Sequence, residues 1–542
     1  MSNKEKIKDM VTGEDVTKSL SNGIKKIIES VGVTLGPRGQ NVLIDSGHPA
    51  APSTITKDGV TVIRNLVLND YVENLAVKTI REASEKTVDE CGDGTTTTAI
   101  LASAIYLEGL KLLATKRNPI SIKRGIDKVA QKLQEKLDEI KIEVTTDDQI
   151  RNVATISANG DEEIGSLIVQ ALDKVGKDGM VTVENGKTFK DELITTDGLR
   201  IERGYASPYF ITNPVKNTAE LDNPLIVVTD YEFQTANDLI PILEIAHSKS
   251  RPLLIIAEGG SAEAIQTLIL NKIKGVVNVC AIDAPGFGER KKELLQDIAT
   301  VVGAEFITED LGIELDQITY EMLGSADKII ATKNETTIIN GKGDENAINE
   351  RKEQIKNLME EADNDYDKEF YKDRLAKLNG GVAIIRVGGN SEVEVEEKKD
   401  RIDDALGATR AAIEDGIVIG GGCALLHAAE LIEVHDLDIK NDDEAAGVHL
   451  FLEAIKQPLK LITENAGGSP DYVVSKIIEN LDEKNYGYDA STSEFGDLFE
   501  KGIIDPVKVT KSAIKNAVSV ATLLLSSKTI LMKQNQIKAI QG

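Results

Sequence analysis

The sequence predicts a multidomain chain that combines α and α/β folds. Three observations carry this reading. At 542 residues the chain exceeds one ordinary domain and can bury large cores. Its first and last quarters hold long helical patterns with few prolines, whereas its middle alternates strand-like and helical stretches. Charged, glycine-flanked helices lie between these zones and read as connectors with hinges. If the two ends share one domain, the middle is inserted into it.

In chain order, VTLGPRGQN (33–41) sets glycines on both sides of Pro37 and reads as a rigid loop that exposes main-chain amides. TITKDGVTV (54–62) places Lys57, Asp58 and Gly59 in a turn between two strand-like segments. Over residues 96–114, Ile100, Ala104, Leu107 and Ala114 mark one helical stripe, and Leu101, Ile105 and Leu112 a second beside it. A stripe that wide belongs to a helix buried on most sides. PLIVVTD (224–230), PLLIIAE (252–258) and GVVNVCAI (275–282) predict strands of an α/β domain. EVEVEEKKDRIDDALGATRAAIEDG (392–416) predicts a charged helix, and GIVIGGG (416–422) a glycine-rich turn before GGCALLHAAELI. SAIKNAVSVATLLLSS (512–527) predicts another buried helix.

Composition narrows the function. The formal net charge of -27 argues against nucleic acid or an anionic membrane as the main partner, because phosphate contacts need clustered Lys and Arg. Cys91, Cys280 and Cys423 are widely spaced, with no CxxC pair and no Cys/His cluster, so neither a disulfide framework nor a structural zinc is indicated. The start, MSNKEKIKDM, lacks signal-peptide or transit character, and no apolar run reads as a bilayer span. A reduced, cytoplasmic setting is therefore expected, with an organelle matrix as the alternative. The five histidines stand in unrelated contexts and read as satisfied or surface side chains.

No P-loop, dinucleotide fingerprint, GxSxG or HExxH element exists. CGDGTTTTAI (91–100) is the most informative stretch. Glycines let main-chain amides approach a ligand, and threonines suit a first helical turn better than a helix interior. Such a turn offers unpaired amides and the positive end of a helix dipole to phosphate. Asp93 adds a hard oxygen ligand suited to Mg²⁺. On this stretch alone, a capped helix after a tight turn accounts for the residues equally well.

VTLGPRG, TITKDG, GDGTTT, RGYASPYF, AAIEDGIVIGGG and GIIDPVKV together resemble group I chaperonins, the bacterial and organellar Hsp60 family, in a match that runs in order from about residue 10 to about residue 532. The resemblance implies an equatorial domain (1–139 and 415–542), an intermediate domain (140–196 and 382–414) and an inserted apical domain (197–381). It implies that Thr34, Leu35, Gly36 and Pro37 line the phosphates and ribose of ATP. Asp93 would ligate Mg²⁺, and Gly94, Thr95, Thr96 and Thr97 would wrap the β- and γ-phosphates. Lys57, with Thr34 and Thr96, would hold K⁺. Gly421 and Asp505 would meet the ribose and base region, together with Asp489, Ala490 and Ser491. Asp404 would orient the attacking water, with Asp58 close to the γ-phosphate.

The resemblance also implies an apical groove for non-native polypeptides and for an Hsp10-type co-chaperonin lid. Its matching positions are Tyr205, Ser207, Tyr209, Phe210, Ile240, Leu243, Ile265, Ile269 and Leu270. From pattern alone, ANDLIPILEIAHS (236–248) and SAEAIQTLILNKIKG (261–275) read better as helices that face a core, although three consecutive apolar residues, Leu268, Ile269 and Leu270, cannot all point one way. The expected assembly is a homo-oligomeric, heptameric ring.

The chain departs from the family pattern at several points. Asp489 stands where Asn is usual, and Ser491 where Ala is common. GHPAAPS is longer than usual, and LMKQNQIKAIQG lacks a Gly/Met-rich tail. Two other function classes compete with a chaperonin. One is a small-substrate ATP enzyme, for which no further acid/base set is present; the other is a scaffold without ATP turnover, disfavoured by Asp58, Asp93 and Asp404.

Overall fold

The computed structural model describes residues 7–45, 53–176, 179–186, 188–214, 216–362 and 364–533. Residues 1–6, most of GHPAAPS with His48, and the chain beyond Lys533 lie outside the described residues. The chain divides into two compact units. One comprises Met1–Gln170, Asn185–Lys190 and Val387–Gly542, so both chain ends build it; the other comprises Ala171–Glu184 and Asp191–Arg386.

The first unit is mostly helical. Helices Tyr71–Cys91, Thr95–Ala114 and Val507–Ser526 pack on one another, with Leu101, Ile105 and Tyr106 fully out of water. Each such side chain contributes roughly 1.5–3 kcal/mol of apolar burial. Thr95–Ala114 is, against expectation, long and apolar enough to cross a membrane by composition; here it is a core helix, because bundle neighbours bury Ile100, Leu101, Ala104 and Ile105, while Leu107 and Leu112 are half-buried and Ala114 is exposed.

The reading of TITKDGVTV as strand, turn, strand fails in its second half. Thr54–Thr56 is a strand, but Gly59–Asn65 is a helix. Asp58 caps it, accepting the amides of Val60 (3.0 Å) and Thr61 (2.7 Å), and this local capping outweighs the β-propensity of the valines.

The second unit is α/β. Its ten-stranded sheet runs Val279–Asp283, Leu253–Ala257, Leu225–Thr229, Gly324–Ala331, Thr336–Gly341, Glu192–Ile201, Gly381–Val387, Met180–Asn185, with two short strands off this path. The three apolar runs read from the sequence are its first three strands, all parallel. They are buried almost throughout, which explains their continuous apolar character. The rest of the path is antiparallel where its register is defined.

Candidate nucleotide and polypeptide sites

In the first unit, a cavity of about 820 Å³ is lined by Thr34–Pro37, Lys57, Asp58, Asp93–Thr97, Asp404, Gly421, Asp489–Ser491 and Asp505. Stretches spread over more than 400 positions thus meet in one place. Every nucleotide-site residue expected from the sequence lies on its wall.

Part of the wall is the start of helix Thr95–Ala114. Gly92 and Gly94 both take positive φ (77° and 94°), which ends one helix and begins the next within three residues. A Cβ on Gly92 would stand 2.4 Å from the Cα of Gly407, so only glycine lets this corner touch the helix that carries Asp404. No side chain caps Thr95–Ala114, which leaves its first amides free for a ligand. The hydroxyl of Thr95 is buried and has no hydrogen-bond partner among the described residues. The threonine run is therefore a helix start that lines the cavity with no side-chain cap.

Carboxylates converge on the same space. Burial first, then Asp58 and Asp93, raise the Asp404 carboxyl well above the ordinary range. Burial also raises Asp93, and Asp58 adds to it, while bonds from Ser157 and Gly94 oppose the rise. Burial and Asp93 together push Asp505 up to about 7. Several acids crowded into one cavity need a cation to ionise together. Hard oxygen donors beside unpaired helix amides fit Mg²⁺ accompanying a phosphate chain.

The hydroxyls of Thr34 and Thr96 both flank Gly59: a Cβ there would lie 1.9 Å from Thr96 Oγ1 and 3.6 Å from Thr34 Oγ1. The ammonium of Lys57 donates to the carbonyl of Pro37 (3.3 Å), and burial, then Arg401, lower its pKa. An ammonium cannot ligate K⁺, so Lys57 has only its carbonyl to offer such a site.

At the other end, Asp489 closes a turn. Its oxygens accept Ser491 N (2.9 Å), Ser491 Oγ (2.5 Å) and Thr492 Oγ1 (2.8 Å). Burial works to raise its pKa, but these bonds prevail and hold it low. Arg38 ties the same turn down, donating to the carbonyls of Ser491 (2.6 Å) and Ala466 (3.2 Å).

Asp505 gives a pH prediction. Unfolded, it ionises near 3.8; folded, near 7. Across that window the folded chain holds the extra proton, so stability falls as pH rises, and the full penalty stands above pH 7. In metal-free buffer Asp505→Asn should be more stable than the parent at pH 8, on the order of 2 kcal/mol after allowing for water in the cavity. The gap should close towards pH 4. Thermal unfolding across pH measures it.

Sequence reasoning missed Ser157, Asn152, Arg401 and Lys501, which also line the cavity. Ser157 and Asn152 come from helix Asp147–Ser157, which packs on helix Glu392–Asp415. Nothing local marks them, because their role depends on a contact between distant segments.

The second unit carries the other candidate surface. Tyr209, Ile240 (45% exposed) and Leu270 (53% exposed) face water, with Ile273 beside them, a residue the sequence reading did not include. Tyr205, Ile265 and Ile269 are half-buried. Phe210 and Leu243 (9% exposed) belong to the core of this unit, as does buried Ser207, which caps the turn Pro208–Phe210. They are corrected from surface to core: Leu243 lies on the inward face of helix Ala236–Lys249, beside Leu239 and Ile242.

Residues 27–535 match the family model described as the TCP-1/cpn60 chaperonin family. Among solved structures, the chain is similar to the chaperonin gp146 from the bacteriophage EL 2 (Pseudomonas aeruginosa), in the presence of ATP-BeFx. In crystal form II the TM-score is 0.69 at 25% identity, over 97% of this chain and 99% of that chain. In crystal form I it is 0.61 at 24% identity, with the same coverage. With the family model spanning nearly the whole chain, and the fold agreeing with a solved chaperonin over nearly its full length, this chain belongs to the TCP-1/cpn60 chaperonin family.

Proposed function

We propose that this chaperonin is an ATPase that binds non-native polypeptides on exposed apolar helices and encloses them in a homo-oligomeric, heptameric ring under an Hsp10-type lid. The observation that carries the reading is the cavity in which an uncapped helix start and converging Asp58, Asp93 and Asp404 share one wall. The first amides of the Thr95 helix bind phosphate, and Thr34–Pro37 and Gly421 border the sugar. Asp93 would hold Mg²⁺, whose charge neutralises the phosphates when bound, and Thr34 and Thr96 would hold K⁺ with main-chain oxygens.

Asp404 orients water for attack and accepts its proton. Its raised pKa makes it a stronger base than an ordinary carboxylate once ionised. The resemblance to group I chaperonins supports the equatorial, intermediate and apical division and a cytoplasmic setting, and three buried free cysteines suit a reducing compartment. Steady-state ATP turnover tests the proposal. The purified chain should hydrolyse ATP with Mg²⁺ and K⁺ and stop in EDTA; no turnover under any ionic condition would leave only a scaffold.

A further inference from the structure

Asp93 is held by a side chain from a distant part of the sequence. Ser157, the last residue of helix Asp147–Ser157, donates from Oγ to Asp93 Oδ2 at 2.7 Å. Asp93 Oδ1 accepts the amide of Gly94 at 2.5 Å. One donor on each oxygen fixes both the direction and the rotation of the carboxylate. Each oxygen keeps lone-pair capacity for another partner. The amide is part of the helix corner and cannot be varied independently, whereas the hydroxyl arrives from another element.

The geometry points to Ser157 as a positioning residue for divalent-cation binding at Asp93, its hydroxyl setting the orientation in which the carboxylate meets the ion. The inference rests on the nucleotide-site reading above. A hydrogen-bonded carboxylate is a better-ordered ligand, and partners of this kind are worth about 10–100-fold in metal affinity. Helix Asp147–Ser157 packs on helix Glu392–Asp415, so one helix pair supplies both Ser157 and Asp404 to the cavity.

Calorimetric titration of the full chain with ATP, in Mg²⁺ and separately in EDTA, tests this. Ser157→Ala should weaken MgATP binding about tenfold and leave metal-free ATP binding unchanged. Ser157→Thr, which keeps the hydroxyl, should restore most of the loss. Should Ser157→Ala not fold, Ser157→Cys, similar in size but a poor donor, takes its place. Unchanged MgATP affinity overturns the inference. So does an equal loss with and without metal, which marks a merely structural role. A parent chain that binds no MgATP overturns the nucleotide reading, and this inference falls with it.

Discussion

Asp404→Ala should bind ATP about as tightly as the parent but hydrolyse it at least roughly a hundredfold more slowly, the scale of a lost general base. The phosphate seat explains the retained binding, because the Thr95 helix start and Asp93 are untouched. The crowding of acids explains why the variant still folds: Asp58 and Asp93 both raise the Asp404 carboxyl, so its removal relieves repulsion. Single-turnover hydrolysis and nucleotide titration on the same preparation separate the two effects. Hydrolysis at the parent rate would remove Asp404 from the chemistry.

On the polypeptide surface, Ile240→Glu and Leu270→Glu should fold normally and lose capture of a denatured client by about tenfold or more. Both side chains face water, so a charge there meets no core, while client binding loses apolar burial at its centre. Leu243→Glu is the contrast. That side chain is packed inside the second unit, and an unpaired carboxylate there costs several kcal/mol. It should unfold the unit and lose capture by a different route. Light scattering of an aggregating client, read beside thermal unfolding, distinguishes the two. Ile240→Glu and Leu270→Glu chains that still suppress aggregation would place the client surface elsewhere.

How far the sequence was legible depends on the range of each interaction. The lining of the first unit's cavity was legible because its parts are local motifs: a glycine corner, a threonine helix start, an acid in a turn. So were the three buried parallel strands, whose unbroken apolar runs admit few other settings. The antiparallel remainder of the sheet was not legible, since strands such as Glu192–Ile201 carry many polar residues and are buried only in part. Leu243 and Phe210 were misplaced for a related reason. Helical spacing groups residues on one face, but only the packed structure shows which face is covered. Ser157 left no local trace at all, because its meaning comes from Asp93, which reaches it through the fold.

The central claim is that one chain couples a nucleotide cavity to an apolar client surface. Its most direct test is nucleotide-triggered release: a labelled, chemically denatured client is mixed with the purified protein, and the bound fraction is followed by size exclusion before and after MgATP. The account predicts a stable complex without nucleotide that MgATP discharges, and that Asp404→Ala discharges without sustained turnover. A client that never binds, or one that stays bound to the parent chain at saturating MgATP, would contradict it.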